Sequence, residues 1–264
     1  VEHVIKERIK EHMKWAEPHE RIIVALDMSD PDEASAVVTQ LEGKIGYVKI
    51  GLEAITNMDA SVAIEIARGR NANWIHCTGG PKAIKQAVEA RNDFVAHHPQ
   101  HTFPFILGVT ILTSLDYDDF AEMGIAPYHN ETHYDVHHMN KPNKLKWIEF
   151  KKEWIEEVVV SLAKMAQRCG ADGVVASPKE AKLIREACGD DFLIVTPGIR
   201  PYTAVEPDDQ KRKATPYEAI RDGADFLVIG RPITNPPNGV TSLEVIESVS
   251  IDIKQALVDR NNQE

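Results

Sequence analysis

Lys49 stands between Val48 and Ile50 in GYVKIGLE (46–53), a stretch whose other residues suit a buried strand. A buried ammonium costs several kcal/mol or gives up its proton. The position therefore calls for an exit at the strand end or for a chemistry that wants a cation there. A second constellation lies near the end of the chain, in VTPGIRP (195–201), DDQKRKATPYEA (208–219) and FLVIGRPIT (226–234). Gly230 lets a backbone approach closely, Arg231 can grip phosphate with two parallel hydrogen bonds, and Gln210 can donate an amide hydrogen. Gly-Arg-Pro alone would serve equally as a strand-ending turn, but the whole array reads as a phosphate grip.

These groups need elements to hold them. Apolar, β-branched runs recur at 21–27, 47–51, 73–80, 104–112, 172–177, 192–198 and 226–232. They are almost continuous in hydrophobicity, as parallel strands covered on both faces are. Helix-like stretches alternate with them, among them DPDEASAVVTQLEG, PKAIKQAVEA and SPKEAKLIREACG. Several open on Asp, Ser or Thr and close on Gly. Nearly every run ends in polar or Gly residues on its carboxyl side: Asp27, Lys49, His76, Thr78, Thr113, Ser114, Ser177, Thr196, Gly230 and Arg231. A (β/α)8 TIM barrel builds its site on that rim, whereas a doubly wound sheet concentrates it at one switch point, usually with GxGxxG. That fingerprint is absent. The expected fold is α/β, a (β/α)8 barrel over residues 21–264, with an N-terminal helical extension at 1–20 and a polar insertion at about 125–153. Seven strands are legible where eight are wanted. The interval LEAITNMDASVAIEIARGRNA has room for one helix but not for helix, strand and helix, so the third strand is not identifiable.

A formal net charge of −11 over 264 residues excludes a protein that coats nucleic acid or an anionic membrane, yet leaves room for a local basic pocket and a small anionic ligand. Cys77, Cys169 and Cys188 lie far apart without CxxC spacing, and no apolar run approaches a membrane span. A cytoplasmic protein is expected. His129, His133, His137 and His138 fall in the insertion; His133 and His137 are four apart but no HExxH accompanies them, so no metal site is assigned. His97, His98 and His101 read as a solvated loop. The basic run KPNKLKWIEFKK (141–152) reads as a helix laying Trp147 and Phe150 on the barrel.

Taken in order, VALD, VKIGLE, HCTGG, GVTILTSLD, DGVVASPKEA, VTPGIRP, DDQKR and GRPIT, spanning roughly 21–235, resemble the blocks of the orotidine 5′-monophosphate decarboxylase family. The resemblance implies a carbon–carbon lyase that converts orotidine 5′-monophosphate to UMP in pyrimidine biosynthesis without a cofactor, as a homodimer. It implies that Asp27 contacts the ribose and the lysine network, that Lys49 belongs to the charges around the reacting carbon, and that Ser114 reads the pyrimidine. Pro197 would flank the base, while Gln210, Gly230 and Arg231 would hold the phosphate. His76, where such blocks often carry His, would lie near the ligand without acid–base work.

One block is missing. The family's D-x-K-x-x-D on the third strand is not found; Asp59 is a weak stand-in, and no lysine lies between Lys49 and Lys82. Deleting a central strand would remove a core layer and open two edges, so an interior segment absent from these residues is the preferred explanation. Two alternatives stand beside the decarboxylase: a Mg-dependent sugar-phosphate synthase or decarboxylase of the same barrel group, and a catalytically inactive nucleotide-phosphate binder.

Overall fold

The computed structural model describes residues 2–28, 30–50, 72–98, 100, 104–126, 141–201 and 213–262. Among the described residues seven strands are formed: β1 (Ile22–Leu26), β2 (Tyr47–Ile50), β3 (Ala72–His76), β4 (Phe105–Val109), β5 (Gly173–Val175), β6 (Leu193–Thr196) and β7 (Phe226–Ile229). All pair in parallel, in the order β2-β1-β7-β6-β5-β4-β3. The first strand thus lies against the last, and every consecutive pair but one is adjacent. Among the described residues that is a ring of strands open between β2 and β3, not a doubly wound sheet. The seam falls where sequence reasoning missed a strand. Residues 51–71, the interval in which the third strand was not identified, lie outside the described residues. Among the described residues, β2 and β3 are the edges of the sheet.

Strand alternation separates two cores. Ile23, Ala25, Leu107, Val109, Val175, Leu193, Val195, Phe226 and Val228 face the interior of the curled sheet. Their neighbours in sequence, such as Ile22, Val24, Ile106, Val174, Ile194 and Leu227, pack outward against helices. Helix α1 (Glu2–Trp15) adds Ile5 and Ile9 to the interior, beside the first residues of β6 and β7. His12 meets the Tyr47 hydroxyl at 2.9 Å and stacks on Phe226, while Arg21 donates to the Met13 carbonyl at 3.0 Å. The extension therefore stoppers the amino-terminal end of the sheet, opposite the polar rim.

The outer layer includes α2 (Pro31–Gln40), α3 (Gly80–His97), α4 (Tyr117–Glu122), α5 (Lys141–Arg168), α6 (Ala181–Cys188), α7 (Pro216–Arg221), α8 (Arg231–Thr234) and α9 (Ser242–Asn261). The basic run at 141–152, expected as a helix, is the first three turns of α5, which continues unbroken to Arg168. Trp147, Phe150 and Trp154 close edge-on around Tyr117, which is buried. Lys151 lies over the Tyr117 and Trp147 rings and pairs with Asp118.

A repeated device holds the helices to the strands. Gly-Ala-Asp precedes both β5 (170–172) and β7 (223–225). Gly170 and Gly223 have positive φ, the left-handed turn that ends a helix. The aspartate then accepts the second amide of the preceding strand: Ile106 N–H to Asp172 at 2.7 Å, Ile194 N–H to Asp225 at 2.9 Å. An arginine from a helix completes each, Arg91 to Asp172 and Arg185 to Asp225, both at 2.7 Å. Burial pushes the Asp172 carboxyl up; Arg91 and the Ile106 amide pull it back and keep a buried charge tolerable.

Candidate active site

Polar groups at the carboxyl ends of the strands converge on one cleft of about 670 Å³. β1 ends at Leu26 and delivers Asp27; β2 delivers Lys49; β3 delivers Trp74 and His76, two residues apart and so on one face. The turn after β4 brings Thr113 and Ser114, β6 leads into Pro197 and Arg200, and β7 leads into Gly230 and Arg231.

Lys49 leaves the sheet at the strand end, one of the two readings its sequence setting allowed. Its side chain is 26% exposed, because the residue sits next to the strand's last position and reaches over the rim. Its Nζ donates to Asp27 Oδ1 at 3.0 Å and lies 6.0 Å from the centre of the Trp74 ring. The pairing follows from register: Lys49 is opposite Ala25, and Asp27 is two residues on, facing the same side.

Gly230 crosses close to the end of β1. A Cβ there would stand 3.4 Å from Ala25 Cβ and 4.0 Å from Asp27 Oδ2, so the backbone of the Gly-Arg turn forms part of the cleft wall. Arg231, exposed, begins α8. The described lining includes Lys49, Arg200 and Arg231 against the single carboxylate of Asp27. An acidic protein thus presents a cationic cleft, suited to an anionic ligand.

Of the residues singled out from sequence, Asp27, Lys49, Ser114, Pro197, Gly230 and Arg231 line this cleft together, with His76 beside them. Gln210, Asp59 and the histidines at 129–138 lie outside the described residues. Among the described residues no group of three or more His, Cys, Asp or Glu could hold a metal. Sequence reasoning missed Trp74 and Arg200. Period two along NWIH would have paired Trp74 with His76, and Arg200 follows Pro197 in a block already noted.

With this geometry in hand, comparison with known proteins is decisive. The model of the orotidine 5′-phosphate decarboxylase / HUMPS family matches residues 58–246. The chain belongs to this family. A relative from Trichlorobacter lovleyi named orotidine 5′-phosphate decarboxylase is 36% identical, with 87% of this chain and 95% of that protein covered. One of the same name from Syntrophotalea carbinolica is 34% identical over 90% of this chain and 98% of its own. Among solved structures, orotidine 5′-phosphate decarboxylase from Lactobacillus acidophilus superposes with a TM-score of 0.60 at 27% identity, covering 88% of this chain and 98% of its own.

The family model begins beyond β2, but the relatives reach further back. An alignment taking in 87% of the 264 residues leaves out about 34, so it necessarily includes Lys49. The same alignment runs over 261 positions, of which about 230 are filled by this chain. Roughly 30 positions of the relative therefore face no residue here, and the Syntrophotalea relative gives a similar figure.

Proposed function

We propose that this family member binds orotidine 5′-monophosphate in the cleft at the strand ends and decarboxylates it to UMP. The observation that carries the reading is the Lys49–Asp27 pair set on the same rim as Ser114, Pro197 and the Gly230-Arg231 turn. Arg231 and the Gly230 backbone take the phosphate, with Gln210 as a further donor. Ser114 and Pro197 meet the base, and Asp27 meets the ribose while holding Lys49.

The bond from C6 to the carboxylate breaks and leaves its electron pair on C6 as CO2 departs. The Lys49 ammonium stabilises that charge while Asp27 keeps the ammonium charged, and, with no D-x-K-x-x-D lysine in the sequence, water supplies the proton that ends on C6. Phosphate contacts lie away from the reacting bond, so their binding energy serves orientation. No metal or cofactor takes part. The assembly is a homodimer through the cleft face, which a native mass near twice the 29.5 kDa protomer would support.

A specific observation favours a second reading, a nucleotide-phosphate binder without turnover. The sequence holds no D-x-K-x-x-D, and Lys49 is followed by no lysine before Lys82. The test follows the loss of orotidylate absorbance with and without EDTA. EDTA-insensitive turnover supports decarboxylation, and abolition by EDTA favours the Mg-dependent sugar-phosphate branch. Absence of turnover with UMP still bound selects the binder.

A further inference from the structure

We infer that Trp74 is the platform on which the base of the bound nucleotide stacks, and so the residue that sets selectivity for a nucleotide over a sugar phosphate. The inference rests on the reading of the cleft as a nucleoside-monophosphate site. Trp74 and His76 carry the only aromatic rings among the described lining residues, and Trp74 the larger. The remaining apolar lining is aliphatic, from Ala25, Val109, Ile111, Leu112, Val175, Pro197 and Val228. A planar heterocycle has one broad flat face to meet there, and it is the indole.

Position agrees with type. Trp74 projects inward from β3 beside the open seam, opposite Leu107 in register, and is only partly buried although Leu107 is fully so. The Lys49 ammonium lies 6.0 Å from its ring centre, within the range of a cation over an aromatic face. A base lying against the indole therefore has the Lys49 charge next to it, and Trp74 orients the ring with respect to that cation. The phosphate, held at Gly230 and Arg231 on the other side of the β1–β2 pair, is not touched by Trp74. Losses on removing the indole should then fall on the base alone.

Calorimetric titration of the full chain with UMP and with ribose 5-phosphate tests this, using wild type, Trp74→Ala and Trp74→Phe. Stacking of a base on an aromatic ring predicts that Trp74→Ala weakens UMP by at least about fivefold. Ribose 5-phosphate should change by less than about twofold, and Trp74→Phe should retain most of the UMP affinity. UMP should also quench tryptophan emission in wild type, and Trp74→Phe should remove that quench, a readout that stands even if the alanine variant fails to fold. Unchanged UMP affinity, equal weakening of both ligands, or a quench that survives in Trp74→Phe overturns the inference. Wild type that binds neither ligand overturns the reading of the cleft itself.

Discussion

Lys49 Nζ and Asp27 Oδ1 meet at 3.0 Å across the β1–β2 pair, at the carboxyl end of the sheet, with side chains 26% and 49% exposed. An ion pair this open to water contributes at most about 1 kcal/mol to folding. Its placement on the cleft rim, rather than its strength, is what gives it meaning. The two residues can therefore be changed to probe chemistry without dismantling the barrel.

Lys49→Ala should fold with a thermal midpoint close to wild type and lose at least about a hundredfold in turnover, the scale of removing one preorganised electrostatic stabiliser. Asp27→Asn should lose activity too while retaining the fold. Circular dichroism melts and initial rates on the same preparations check both halves. A Lys49→Ala enzyme of unimpaired rate would detach the pair from the chemistry.

Arg231→Ala should weaken UMP by about 10- to 150-fold, the value of a charge-assisted hydrogen bond to phosphate. Uridine, which lacks the phosphate, should bind both proteins alike. Competition of the two ligands against a fluorescent nucleotide would separate these effects.

Arg91→Met strands the Asp172 carboxylate, whose pair is nearly sealed from water at 2% and 5% exposure. The expected cost is about 3–5 kcal/mol of unfolding free energy, read as a lower urea midpoint. Replacing both partners, Arg91→Met with Asp172→Asn, should restore part of that loss, since no uncompensated charge remains.

Stability should fall on mild acidification through His12. Burial is the chief cause pushing its imidazole below the ordinary value; Glu20 opposes this and Arg21 adds to it. The unfolded chain then takes up the proton more readily than the native one, so this contribution is present above about pH 6.5 and lost as pH falls below it. The thermal midpoint of wild type should drop more between pH 7.5 and pH 5 than that of His12→Gln. Parallel drops would remove His12 from the account.

The strands were legible because each is a nearly unbroken apolar run, and a run buried on both faces has no polar residue to blur it. The polar rim was legible for the converse reason: where a run stops, its next residue is free to do chemistry. Less visible was the extent of α5. The polarity of 141–153 suggested a separate insertion, yet its aromatic stripe continues in phase through Trp154 and packs on Tyr117. Trp74 escaped notice because NWIHCTGG was read for its histidine, although period two puts both residues on one face. Of the two readings open for Lys49, the exit at the strand end is found, because a strand's last residues reach solvent whatever their neighbours' hydropathy. Closure between β1 and β7, which pairs residues some 200 positions apart, followed from the barrel expectation that the polar rim supported and not from any local pattern.

The most direct test of the central claim is to incubate purified protein with orotidine 5′-monophosphate and quantify UMP, with Lys49→Ala as the control. The account predicts UMP formed in proportion to enzyme, unaffected by EDTA and lost in the variant. Substrate recovered unchanged by a protein that still binds UMP would contradict it and leave a nucleotide-binding barrel in place of an enzyme.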